Sequence, residues 1–187
     1  MNIIVKPYGS ELCHCRPDTT WERENRDFYS PECVNEITWS PVIFARISKA
    51  GKCVSGKFVE RYYDGVGCGM LMYGVAAASS EGLPQTSACI DHSSILPTPL
   101  YNPAVIEDDK EFTLSINGEA TAVALKSAKS LMEETICKAS QLTSLRIGDY
   151  VAAELQAPVT LASRKSGEAA VKGSFCENEI FNFKIIF

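Results

Sequence analysis

Apolar residues recur along this chain with two different periods. From Cys33 to Gly51, Val34, Ile37, Trp39, Val42, Ile43, Phe44 and Ile47 stand in β-branched and aromatic company, which predicts a long strand. Pro41 inside it marks an edge, a bulge or a strand start, because proline cannot donate to a ladder. Ala50-Gly51-Lys52 reads as a tight turn, and Phe58 to Tyr63 as a short helix. The run Gly65-x-Gly67-x-Gly69 lacks the G-x-G-x-x-G spacing of a dinucleotide loop, so close backbone approach or a bulge within a sheet explains it better. Met70 to Ala78 continues as an apolar, buried strand, and Ser79 to Asn102 is a loop-rich passage punctuated by Pro84, Pro97 and Pro99.

The last third carries the sharpest signals. Phe112, Leu114 and Ile116 alternate ahead of Asn117-Gly118, a pair that tolerates positive φ and predicts a type I′ hairpin returning through Val123 and Leu125. The period then changes: Leu125, Ala128, Met132, Thr135, Ile136 and Ala139 predict one helix over Ser127 to Ser140, with Ser130-x-x-Glu133 as a capping box. Leu145 and Ile147 lead to Gly148-Asp149, and a strand follows over Tyr150 to Leu155. A turn at Ser166-Gly167-Glu168 and strands at Ala169 to Val171 and Ile180 to Phe187 finish a sheet. At the other end, Asn2 to Tyr8 predicts a first strand. Asp18 or Thr19 would cap a short helix through Arg26, with Pro31 as its stop. The class is mainly β with one or two short helices, an α+β arrangement.

Composition narrows this picture only a little. The 187 residues make one ordinary domain, 45% of them hydrophobic and 22% charged, with no apolar run near the ~20 residues that span a bilayer. Met1 to Gly9 is too short and too polar for a signal-peptide core, and the expected location is the cytoplasm, without membrane attachment. A net charge of −5 and the lack of any Lys/Arg block exclude an electrostatic grip on nucleic acid. Eight scattered cysteines in a chain of this size read as free thiols, mostly small buried hydrophobes.

Candidate chemistry is sparse. Cys13-His14-Cys15 is compact, but structural zinc sites pair two such arms at defined separation, and no second arm is present. Asp91-His92 offers an acid beside a base, and His14 and His92 are the only side chains with an ordinary titration near neutrality. Arg46 is the candidate for binding a substrate carboxylate, provided that it faces a pocket.

The order of landmarks resembles the C-terminal half of the fumarylacetoacetate hydrolase superfamily. The residues that carry it are Ile116-Asn117-Gly118-Glu119, Leu145-Arg146-Ile147-Gly148-Asp149, Pro158, Lys165-Ser166-Gly167-Glu168, and Phe44 through Lys52. The likeness covers 39–187 as a family-like core, with 1–38 as a divergent N-terminal segment of the same domain. It implies a mixed β-sheet roll, a homodimer for which the Gly65 to Met72 stretch would offer apolar interface material, and a small oxo-acid as ligand. The implied chemistry is cleavage or decarboxylation of a β-dicarbonyl acid such as an acylpyruvate, assisted by magnesium on three carboxylates.

The positions where the family keeps those functional groups fall here on Ser40, Val42, Tyr73, Ala88 or Cys89, and Ala157, and none of these is a carboxylate or lysine. The segment that should hold the family's N-terminal histidine has no counterpart, His14 lying in an unrelated context. The expectation is therefore a divergent member without a metal cofactor, a small-molecule-binding pseudoenzyme. The alternative is an active hydrolase or decarboxylase using magnesium or a rearranged site with Asp91, His92 and Arg46.

Overall fold

The computed structural model describes residues 1–76 and 87–187. Two long strands form its spine. β5 (Val34–Ile47) and β6 (Tyr63–Ala76) pair antiparallel along nearly their whole length, with Val42 opposite Gly69 and Thr38 opposite Tyr73. β5 also pairs on its other side, first with β11 (Val159–Ser163) through Glu36 to Trp39, then with β10 (Tyr150–Glu154) through Val42 to Arg46. Pro41 sits at the break between those partners, and its carbonyl accepts from Leu155 N–H at 2.9 Å. Its missing donor thus falls where the ladder is already interrupted.

Parallel pairing of β1 (Ile3–Lys6) with β10 extends the sheet, and β2 (His14–Arg16) closes that edge. β3 (Trp21–Glu22) and β7 (Ser94–Ile95) close the other beyond β6. A second sheet is built from β4 (Phe28–Tyr29), β8 (Glu111–Ile116), β9 (Glu119–Ala124), β12 (Ala169–Phe175) and β13 (Asn178–Ile186), in the order β4, β13, β12, β8, β9. Asn117 and Gly118 take φ of +51° and +89°, the conformation a type I′ turn requires.

The helix α1 (Ala128–Leu142) buries Ala128, Met132, Ile136 and Ala139 against one face of the first sheet, where Ile4, Ile43, Ala45, Val151 and Ala153 meet side chains of the second sheet such as Phe112 and Phe181. The opposite face carries a smaller cluster: Ile3, Val5, Val42, Phe44, Leu71, Leu96, Tyr150 and Ala152.

Several expectations change in detail. Asp18 to Arg26 is not a helix: Asp18–Thr20 forms a single 3-10 turn, because the chain then enters β3. Gly56–Arg61 is likewise 3-10 and not α. The helix starts at Ala128 from a left-handed Ser127, whose N–H is bonded to Asp108 at 2.9 Å, so Ser130 and Glu133 lie inside it and form no capping box. The closing strands belong to the second sheet and are longer than their apolar runs. The cysteines are not mostly buried. Cys68 is, with its thiol pushed up to about 12 by burial, whereas Cys15, Cys33, Cys53 and Cys89 are exposed. The stretch Gly65 to Met72 is buried throughout, so it offers no apolar outer face for a dimer. The expected end of the strand at Ala78 and the first part of the Ser79 to Asn102 passage lie outside the described residues.

Candidate functional site

Side chains alternate across a strand, so cross-strand register decides which residues share a face. On the face away from α1, β5 presents Thr38, Ser40, Val42, Phe44 and Arg46. Their partners are Tyr73, Leu71, Gly69, Gly67 and Gly65 on β6, with Glu154, Ala152 and Tyr150 opposite Val42, Phe44 and Arg46 on β10. Through β1, the same face gains His14 and Arg16, which pair with Val5 and Ile3. The three positions where the resemblance expects carboxylates near one cation, Ser40, Val42 and Tyr73, therefore do share one surface.

Half of that surface is closed. An added Cβ at Gly69 would lie 2.2 Å from the Ile95 carbonyl oxygen, and one at Gly67 2.5 Å from the Phe44 ring, so glycine is what lets the ring and the Ser93–Leu96 backbone lie flat on the sheet. Tyr150 packs on Phe44 and Trp21 at centroid distances of 5.7 and 5.1 Å.

The other half is a cavity of about 430 Å³, lined by Tyr8, His14, Thr38, Tyr73, Glu154 and Pro158 among others. Ser40 and Val42 lie outside its lining: Ser40 Oγ donates to the Gln156 carbonyl at 2.6 Å, and Val42 is fully buried. A carboxylate does stand beside them, Glu154 being the direct neighbour of Val42 across the ladder.

Glu154 is held on both oxygens. The Tyr73 hydroxyl donates to Oε1, and Tyr8 N–H donates to Oε2 at 2.9 Å. Burial pushes its carboxyl above the usual range, against the lowering effects of Tyr73, Tyr8 and Arg16. The Tyr73 phenol is driven well above its ordinary value by burial first and by Glu154 second.

Next to Tyr73, the Arg16 guanidinium stands 5.0 Å from the ring centroid and is 2% exposed. One of its nitrogens donates to the Met72 carbonyl at 2.9 Å and to Ser93 Oγ at 2.6 Å, while Nε and Nη1 have no hydrogen-bond partner among the described residues. Burial lowers its pKa, and Tyr73 and Glu154 oppose that. His14 Nε2 is also buried without a partner among the described residues, and burial, then Arg16, holds the imidazole pKa below its usual value.

The other sequence candidates lie apart from this cavity. Asp91 and His92 line a separate depression of about 330 Å³ with Phe28, Tyr29 and Pro31. His92 Nδ1 lies 2.9 Å from Glu22, a carboxylate that is 4% exposed and also accepts from the Arg23 and Glu24 N–H groups. His92 is thus engaged by Glu22. Arg46 shares the cavity's face but stands at the far end of the strand, 46% exposed, gripping Asp64 through two bonds of 3.1 and 3.0 Å. Cys15 projects from the face opposite His14 by strand alternation, and Cys13, just before the strand, packs against the helix-side core, so the three do not converge on one ion. Among the described residues, no three His, Cys, Asp or Glu side chains come close enough to share a metal.

The cavity residues do not fit a hard divalent cation. Such an ion takes six or more oxygens with several carboxylates among them, and here, among the described residues, one carboxylate faces the space with each oxygen already accepting a hydrogen bond.

Neither a protein-family model nor a curated protein matches the sequence significantly. Solved structures do match by shape. A fumarylacetoacetate hydrolase family protein from Yersinia pestis CO92 superposes with a TM-score of 0.76 at 15% identity, over 99% of this chain and 91% of that one. Fumarylpyruvate hydrolase from Pseudomonas aeruginosa, in complex with Mn²⁺ and pyruvate, gives 0.73 at 13% over 100% and 88%. Maleylpyruvate hydrolase from Sphingobium sp. SYK-6, also with manganese and pyruvate, gives 0.75 at 15% over 97% and 69%. The chain has the fumarylacetoacetate hydrolase fold.

Proposed function

We propose that this chain is a divergent protein of the fumarylacetoacetate hydrolase fold that binds a small molecule in the Glu154 cavity and does so without a resident divalent metal. The observation that carries this reading is the donor set: a roomy cavity on the sheet face where metal ligands were expected, with Thr38, Tyr73 and, among the described residues, a single carboxylate in it, each of whose oxygens accepts a hydrogen bond from the protein. Manganese and pyruvate accompany two of the structural neighbours. Here, Tyr73 occupies one of the positions where the resemblance expects a carboxylate, and its hydroxyl is bonded to Glu154.

A second reading, metal-free cleavage of a β-dicarbonyl acid, is favoured by one feature. The unpartnered His14 Nε2 and the Glu154 carboxyl line the same cavity, the pairing that proton transfer to and from a ligand requires. Asp91, His92 and Arg46 remain the sequence-derived candidates for that chemistry, all three outside this cavity.

Elemental analysis of purified protein, followed by assay on acylpyruvates and oxaloacetate with and without added Mn²⁺, separates these readings. The binding protein contains less than a tenth of an equivalent of magnesium, manganese or zinc and turns over neither substrate. Stoichiometric metal with turnover overturns the proposal. Turnover without metal, lost in His14→Gln, establishes the second reading. Pairing of two copies belongs to the same proposal, and sedimentation as a monomer at micromolar concentration removes it.

A further inference from the structure

The charges facing the Glu154 cavity can be counted element by element. The loop after β1 contributes Pro7 and Tyr8, β2 contributes His14, β5 Thr38, β6 Tyr73, and β10 Glu154. Pro158, Ser87 and Ala88 add no charge. Among the described residues, Glu154 is the one acidic side chain in the lining, and neither lysine nor arginine is there. Lys6 is set on the opposite face by alternation, since it shares parity with Ile4, which packs in the helix-side core. Arg16 is not in the lining. It lies against Tyr73, 2% exposed, with one nitrogen on Met72 and Ser93 and with Nε and Nη1 unpaired among the described residues. Residues 77–86 contain Glu81 and no Lys, Arg or His, so they bring no cation wherever they lie.

A carboxylic acid entering this space gives up water and, among the described residues, finds no lysine or arginine in the lining to replace it, next to a carboxylate. Removing a charge from water without a partner is among the costliest steps in recognition. Each Glu154 oxygen accepts one hydrogen bond and has a further lone pair, so the group can still accept from a donor. The Tyr8, Tyr73, Pro7 and Pro158 side chains offer apolar and aromatic walls.

We infer that the cavity takes an uncharged or cationic small molecule that gives an N–H or O–H to Glu154, and that it rejects carboxylic acids. This rests on the reading of the cavity as the binding site. It departs from the oxo-acid ligand implied by the resemblance, because the charge that would hold an oxo-acid is missing from the walls.

The test uses the full chain and three probes that differ only in head group: benzylamine, benzyl alcohol and benzoate, with pyruvate as a fourth. Backbone amide spectra are followed at pH 7.5. The expected result is that benzylamine shifts the Tyr8, His14, Tyr73 and Glu154 amides at a concentration at least ten-fold below that of benzoate, with benzyl alcohol between them. Glu154→Gln removes the benzylamine preference by ten-fold or more. Thr38→Lys, which places a cation in the lining and leaves the Glu154 bonds in place, inverts the order toward benzoate.

Benzoate or pyruvate binding at those amides as tightly as benzylamine overturns the inference while leaving the cavity reading intact. A Thr38→Lys protein that still prefers benzylamine also overturns it. No shift at these amides with any probe overturns both the inference and the cavity reading.

Discussion

The two halves of one sheet face, built from the same strands, have opposite fates. Toward the β10 start, Gly65, Gly67 and Gly69 stand opposite Arg46, Phe44 and Val42, and the absence of side chains on β6 lets Phe44 and the Ser93–Leu96 backbone settle onto the sheet. Four residues further along β6, Tyr73 stands opposite Thr38, reaches Glu154, and the surface stays open as a cavity. Small residues permit coverage and one large polar residue maintains a hollow. The covered half should govern stability and the open half recognition.

The largest effect that could break this contrast is in the covered half. Phe44→Ala removes a fully buried ring lying over Gly67, and the expected loss is about 3–5 kcal/mol by urea unfolding. Protein that remains folded should keep its benzylamine affinity within two-fold. A ten-fold loss would show that the halves are not separable.

In the open half, Tyr73→Phe deletes a hydroxyl bonded to a buried carboxylate, at an expected cost of about 1–2 kcal/mol. Because that bond lowers the Glu154 pKa, its loss should raise the pKa further, which carboxyl ¹³C titration would detect. A smaller effect concerns pH. Burial holds His14 below its ordinary pKa of 6.5, so the folded state resists a proton that the unfolded chain accepts. The stability this represents is present above pH 6.5 and is lost as pH falls toward the folded-state pKa, at no more than about 1.4 kcal/mol per pH unit for one group. His14→Gln should flatten that part of the profile in denaturant melts between pH 7.5 and 5.5. The smallest effect belongs to Arg46, whose partner and surroundings are exposed. Arg46→Ala should change stability by about 0.5 kcal/mol or less, and less still in high salt.

Local signals carried the fold a long way. The Asn117-Gly118 turn, the helix core positions Met132, Ile136 and Ala139, and the glycines as points of close approach were all legible, because each depends on neighbours within a turn or a strand. The site was harder to read, because it is a matter of register between distant segments. Glu154 lay inside a recognised strand, and His14 lay in a short loop-like trio. Their meeting with Thr38 and Tyr73 is fixed by ladders spanning more than a hundred residues. One clue was present: Tyr150, Ala152 and Glu154 share a parity, and a charged residue at the buried parity of an otherwise apolar strand asks for a partner. The exposed cysteines escaped for a different reason. Cys53, for one, occupies a position of positive φ in a bend, which composition cannot reveal.

Asp149 bears on how the protein is made. Its carboxylate accepts Asn2 N–H at 2.7 Å and Arg146 N–H at 2.8 Å, and so ties the start of the chain to a segment 147 residues later in sequence. During synthesis the first strand emerges long before the strand that must receive it. Until β10 is available, Ile3, Ile4 and Val5 have no parallel partner and expose an apolar edge. β1, synthesised well ahead of β10, is therefore among the last segments that can take their place, which makes the nascent chain's waiting period, more than its final stability, the stage most open to aggregation.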